Sequence, residues 1–266
     1  GHVKLVKKLV PEIRNATNQN NYAQYHAELV LYNLHHGDGT LLKQLAEQIK
    51  DRTNHSSLSA HVLINVCLES SNLLKSPDPL VHIKSKLNGT NTISQLDAAR
   101  AILASPLAPA DLVASAVTRL NSLLSSPNRI AVFAALRTIS QYAPTRRNDF
   151  AICNAVLERL LSDTDSALSA LAAVSLLHTG FETTIDRVLP AIKEFSVKLP
   201  VDQQANLLKS CIEVTKRCPS KTETIIDFMW TTFRLQDFIE VQRAFVGALF
   251  TFVDESKNNL AVVLRY

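Results

Sequence analysis

The sequence predicts an all-α protein, an α-α superhelix of stacked helix pairs, and three observations carry that prediction. Apolar residues recur at helical spacing along most of the 266 residues. Glycine occurs only 6 times, while Leu, Ala and Ser are abundant and β-branched clusters flanked by Asn-Gly turns are scarce. One amphipathic pattern then returns at an interval of about 36 residues. A helix-turn-helix unit of that length is the signature of a HEAT or armadillo-like solenoid.

The returning window is a small residue followed by apolar residues two to four and seven positions on. It is read in YHAELVLYNL around Ala27, LDAARAILAS around Ala98, FAALRTISQY around Ala134, SALAAVSLLH around Ala170 and QRAFVGALFTF around Ala244. Successive anchors stand 71, 36, 36 and 74 residues apart, one or two units each. Degenerate copies, SAHVLINVCL near His61 and LLKSCIEVTK near Ser210, fill the double gaps. Between copies run second amphipathic helices: LLKQLAEQIKDR, PADLVASAVTRLNSLL, AICNAVLERLL and TTIDRVLPAIKEF. About seven helix pairs fit, as a single array over residues 1–266, because no stretch is rich enough in Pro, Gly or Ser to split it. An alanine anchor lets two crossing backbones approach, where a larger side chain overpacks at about 1–3 kcal/mol. Ala134 is therefore expected at a buried crossing.

Residues 70–92 are the irregular part of the array. Pro77 and Pro79 forbid a continuous helix there, so a loop, a short helix at about 79–87 and a turn at Asn88-Gly89 are expected, with a possible kink of the superhelix. The chain opens with Gly1-His2 rather than Met and stops in mid-pattern at LAVVLRY. It is expected to be an excised segment whose first two residues are a cloning scar.

Composition narrows the function. An apolar share of 46% and a charged share of 20% are those of an ordered soluble chain. The net charge of +4 is mild, and the basic residues Lys4, Lys7, Lys8, Arg146 and Arg147 form no dense run. Aromatics are 6% and sit at core spacing, so a base-stacking nucleic-acid groove is not expected. The cysteines Cys67, Cys153, Cys211 and Cys218 contain no Cys-x-x-Cys pair and read as reduced thiols of a cytosolic protein. Glycosylation-like strings at Asn15, Asn54 and Asn88 then read as chance matches. Neither a signal peptide nor a run of 18 apolar residues is present.

Candidate chemistry resolves into helix ends. In LHHGDGT, the adjacent His35 and His36 point to different sides of a helix and cannot chelate one ion, while Asp38 and Gly39 fit a C-cap followed by an N-cap. His26 and His61 fall on apolar helical windows and read as hydrogen-bonded core or groove residues. Asp163 and Asp165 open a helix and suit its N-terminal dipole. In SLLHTGFETTIDRVLPAI, Gly180 is expected as a left-handed C′ residue and His178 as the cation of the last turn. Thr183 and Asp186 are expected to form a capping box, and Pro190 to kink the following helix. No P-loop, Gly-x-Ser-x-Gly elbow, His-Glu-x-x-His or zinc cysteine set occurs. The expectation is a non-enzyme with no catalytic residue, no cofactor and no metal, offering a curved surface to other proteins.

Four strings carry a resemblance: QYHAELVLY (24–32), AALRTI (134–139), LLHTGFETTIDRV (176–188) and EVQRAFVGALFTFVDES (240–256). The chain resembles the N-terminal adaptin-like trunk of the gamma subunit of coatomer, the coat of COPI vesicles, over most of residues 3–266. Region 54–95 departs most. The resemblance implies a non-catalytic coat scaffold in the cytoplasm, peripheral on Golgi membranes and COPI vesicles through its partners. It acts in Golgi-to-ER and intra-Golgi transport. The implied partners are a zeta-type small subunit, other coatomer subunits and an Arf-family GTPase whose contact falls upstream of Gly1. The matching residues are core and turn positions, so no protein-binding residue is carried over. Alternatives are a clathrin-adaptor large chain, which would take a sigma-type partner, and a HEAT-type nuclear transport receptor, which would carry acidic inner helices and bind Ran-GTP. An RNA-binding solenoid is a third, against which the weak basic patterning speaks.

Overall fold

The computed structural model describes residues 8–17, 20–50, 56–234, 238–255 and 257–266, without the side chains of 255, 257 and 258. Gly1, His2, Lys4, Lys7 and Asn54, named above, lie outside the described residues. All regular structure among the described residues is helical, in two compact units, residues 1–122 and 123–266.

The first unit holds α1 (Val10–Ala16), α2 (Asn21–His35), α3 (Gly39–Lys50) and α4 (Ser57–Leu74). A 3-10 turn (Asp78–Ile83) runs into α5 (Lys84–Leu87), followed by α6 (Thr92–Ala104) and α7 (Ala110–Leu123). α2 packs on α4 and α4 on α6, forming one layer, while α3 packs on α4 and on the 3-10 turn in a second. In the second unit, α8 (Arg129–Tyr142), α10 (Ser166–Thr179), α12 (Val201–Arg217) and α14 (Ile239–Glu255) form the first layer. Behind them come α9 (Asn154–Leu160), α11 (Glu182–Ser196), α13 (Thr222–Phe233) and α15 (Lys257–Val263). Every anchored window, degenerate copies included, is a first-layer helix of its unit, so the described residues hold the expected seven pairs, with α1 ahead of them.

Local chemistry explains where these helices start. Asn20, Ser56, Asn91, Asn128 and Asp165 cap α2, α4, α6, α8 and α10, each side chain accepting from a backbone N–H of the first turn. The caps stand 36, 35, 37 and 37 residues apart, the period of the core pattern. Pro200 holds the next such place, before α12, and has no side-chain cap to offer.

The broken helix expected over 70–92 is present in its local elements. α4 ends at Lys75, left-handed at φ 50°, and Pro77 and Pro79 precede a 3-10-to-α run over 78–87, with a turn after it at Asn88. Leu80, Ile83 and Leu87 are fully buried, so this run fills the second-layer place after α4. Pro190 lies on the exposed face of α11, and the helix continues to Ser196 around it.

The anchors divide. Ala27, Ala98 and Ala170 are buried, but Ala134 and Ala244 are only half-buried. On α8 the inward face carries Ala131, Ala135, Leu136 and Ile139, and on α14 it carries Val241, Phe245, Ala248 and Phe252. The window locates the helix, but one residue is a rotation of about 100°, and in FAAL the second alanine, not the first, faces the core.

Polar contacts between successive repeats follow the same period. Tyr32 donates to Glu69 at 2.7 Å, His82 pairs with Glu47 at 2.9 Å, and His61 with Asp97 at 3.1 Å. In the second unit Arg129 grips Asp163 with both terminal nitrogens, at 2.7 and 2.5 Å, and Lys221 pairs with Asp186 at 2.7 Å. The guanidinium of Arg129 draws the Asp163 carboxyl down to about 2. Surface pairs of this kind contribute about 0–1 kcal/mol each, so they set register while burial supplies the stability.

Replacing Ala135 by Leu should lower the melting temperature by several degrees through overpacking, and Ala134→Leu should lower it by clearly less. Parallel thermal melts decide this; equal shifts would mean that the inward face of α8 is misassigned.

Candidate protein-binding groove and the turn beside it

An open groove of about 530 Å3 runs across α8, α10 and α12. Helical spacing builds it. Phe133, Arg137 and Ser140 form one stripe of α8, and Ala167, Leu171, Val174 and His178 form one stripe of α10. α12 supplies a polar wall of Asp202, Gln203, Asn206, Lys209, Ser210 and Glu213. The floor is apolar, and charges of both signs sit on the rim, a pattern that suits a protein segment better than a small reactant.

His178 marks the end of the groove. Its Nε2 lies 3.2 Å from Ser210 Oγ, and the Ser210 hydroxyl donates to the Asn206 carbonyl at 2.9 Å. That leaves Nε2 as the donor to Ser210. Burial, with Arg217 nearby, pushes the His178 pKa below its ordinary value, so the ring favours its neutral form. The cation of the α10 C-terminus is therefore not His178, as the sequence suggests, but arginine from elsewhere. Arg217, the last residue of α12, donates to the carbonyls of His178 at 2.5 Å, Leu177 at 2.6 Å and Gly180 at 3.3 Å. Arg147, from the turn after α8, donates to Gly180 at 2.8 Å and lies 5.1 Å from the ring centre of Phe181. Two arginines thus cap one helix end and join three successive turns.

Gly180 itself is extended, at φ −67° and ψ 152°, not left-handed. A glycine is required by space: a Cβ there would stand 2.6 Å from the Leu176 carbonyl oxygen and 3.0 Å from Thr184 Cγ2. The capping box does not form either. α11 starts at Glu182 with Phe181 as its N-cap residue, so Thr183 already lies inside the helix, and Asp186 pairs with Lys221.

The other expected sites are also structural. In LHHGDGT the roles lie one residue upstream of the expected ones: Gly37 is left-handed at φ 84°, and Asp38 caps Thr40 and Leu41 at 3.1 and 3.0 Å. Glu69 fastens that turn, accepting from Tyr32, His36 and the Gly37 N–H. His26 and His61 are exposed rather than core residues; His26 stacks edge-on with Tyr22 and Tyr25, and His61 faces Asp97. The four cysteines are buried and unpaired, and burial pushes Cys67, Cys153 and Cys211 up to about 12, which makes them poor nucleophiles. Among the described residues no group of three His, Cys, Asp or Glu could hold a metal ion, and no helix is long and apolar enough to cross a membrane. The groove residues Phe133, Arg137 and Lys209 and the capping Arg217 carry no motif; only their place in the repeat distinguishes them.

Fold and surface define a helical-repeat protein that presents a mixed apolar and polar groove. The chain belongs to the adaptin N terminal region family, which matches residues 2–265. It is 26% identical to the human coatomer subunit gamma-1 over 259 residues, covering 96% of this chain and 30% of that protein. It is 25% identical to the coatomer subunit gamma of Dictyostelium discoideum over 264 residues, covering 98% and 29%. The chain thus spans about 30% of the length of these relatives. The crystal structure of Kap121p resembles it in fold at a TM-score of 0.53 and 17% identity, over 94% of this chain and 27% of that one. An engineered protein does so at 0.55 and 18%, over 96% and 71%.

Gly180→Ala should destabilise the second unit by about 1–3 kcal/mol, because the methyl meets the Leu176 carbonyl oxygen, which already accepts from the Gly180 N–H. Denaturant unfolding measures this. A neutral substitution would show that the turn relaxes freely.

Proposed function

We propose that this chain is a scaffold segment of the COPI vesicle coat, non-catalytic and without cofactor, acting in Golgi-to-ER and intra-Golgi transport. The observation that carries the reading is similarity to coatomer gamma subunits over 96% of the chain. Residues 1–266 act in this reading as one continuous trunk segment, supported by a family match that runs through both compact units. The partners are a zeta-type small subunit and other coatomer subunits, with recruitment by a GTP-loaded Arf-family GTPase whose contact lies N-terminal to residue 1. The protein is then cytoplasmic and peripheral on Golgi membranes and COPI vesicles, held there by its partners. The groove across α8, α10 and α12 is the surface the segment offers for protein contact.

Co-expression of the full-length protein with a zeta-type subunit should yield a stoichiometric complex through affinity and size-exclusion steps. Exclusive complex formation with a sigma-type chain would instead indicate a clathrin adaptor, and no complex with either would overturn the coat reading.

A further inference from the structure

Arg147 and Arg217 converge on one carbonyl, with no carboxylate partner among the described residues. We propose that they form a recognition site for an acidic peptide segment, one carboxylate binding the guanidinium pair while an apolar neighbour rests on Phe181. The inference rests on the geometry of the second unit and is independent of the coat reading.

The arginines come from different turns yet both donate to the Gly180 oxygen, at 2.8 and 3.3 Å. Nearby cations are matched: Arg146 pairs with Asp149, Lys216 with Glu213 and Lys221 with Asp186. Neither Arg147 nor Arg217 has a carboxylate partner among the described residues. A helix C-terminus carries about half a negative charge, which leaves well over one positive charge on this pair. Arg147 is the more available group. Its Nη2 gives one N–H to Gly180, and Nη1 has no partner among the described residues, so the outer edge of the guanidinium is open to a ligand. Burial first, and the charge of Arg217 second, lower its pKa, and an incoming anion would offset both.

Two features select the ligand. A guanidinium fork matches the two oxygens of a carboxylate, and the inner N–H contacts to carbonyls hold the fork in place before binding, which reduces the ordering cost. Phe181 is 53% exposed beside it and offers an apolar platform. An anionic membrane would want an unbroken basic face, whereas acidic residues interrupt this one in sequence: Asp149 follows Arg147 by two residues and Glu182 adjoins Phe181. The pattern fits a short segment with an acidic residue next to an apolar one.

The test uses the 266-residue chain, a fluorescein-labelled hexapeptide with glutamate beside leucine, the same peptide with glutamine, and phosphatidylserine vesicles. Saturable binding of the acidic peptide alone is expected. R147Q should weaken it about tenfold, while R147K, which keeps the charge but loses the fork, and F181A should weaken it several-fold. Melting curves accompany each variant; should R147Q fail to fold, R147K and F181A decide. Equal binding of the glutamine peptide, affinity unchanged in the folded variants, no saturable binding at millimolar peptide, or Arg147-dependent binding of vesicles instead of peptide would each overturn the proposal.

Discussion

The second unit turns on the C-terminus of α10. Three carbonyls there, at Leu177, His178 and Gly180, have no helical partner, and Arg217 takes all three while Arg147 shares the last. Hydrogen bonds to a charged donor contribute about 1.5–3 kcal/mol each when sheltered, more than any exposed ion pair between repeats. The same contacts seat the turn into α11 and fix His178 where it ends the groove. α10 packs on α8, α9, α11 and α12, so an error at this helix end reaches every neighbour.

Elsewhere the array is held by burial and registered by polarity. Small side chains on α10, such as Ala170, Ala172, Ala173 and Ser175, are buried and let the helices come close. Side-chain caps and inter-repeat pairs recur at the same interval as the apolar pattern, so each repeat repeats its chemistry as well as its shape. A groove follows from this without further design. In the second unit the stripes of α8, α10 and α12 left uncovered by their neighbours lie side by side, which is how a repeat protein makes a binding surface.

Much of the fold was legible in the sequence because its strongest signals are local and periodic. The anchored windows marked the first layer, Pro77 and Pro79 marked the broken region, and the adaptin-like strings marked the family. Four things were not legible, each for a physical reason. Helix rotation was ambiguous where two alanines are adjacent, which misplaced the anchor at Ala134. The turn at Gly180 looked like a left-handed cap because a glycine needed for space and one needed for positive φ are identical in sequence. α13, with its run TETIIDFMWTTF, has modest helix propensity and is held by burial of Ile225, Ile226, Met229 and Phe233. The arginine cap was hidden because its members lie 33 to 40 residues from the carbonyls they bind. The N-cap residues Asn20, Ser56, Asn91, Asn128 and Asp165 keep the repeat interval by themselves, a signal in the sequence independent of the apolar pattern.

The coat reading and the structural account meet in the LLHTGFETTIDR turn, which carries the family resemblance and also ties three repeats together. Native-state hydrogen exchange of the wild type and Arg217→Gln tests that tie most directly. If the cap is what couples the repeats, protection should fall together across α10, α11 and α12, by roughly the 1.5–3 kcal/mol of a charged hydrogen bond. A loss confined to the last turn of α12, with α10 and α11 unchanged, would contradict it.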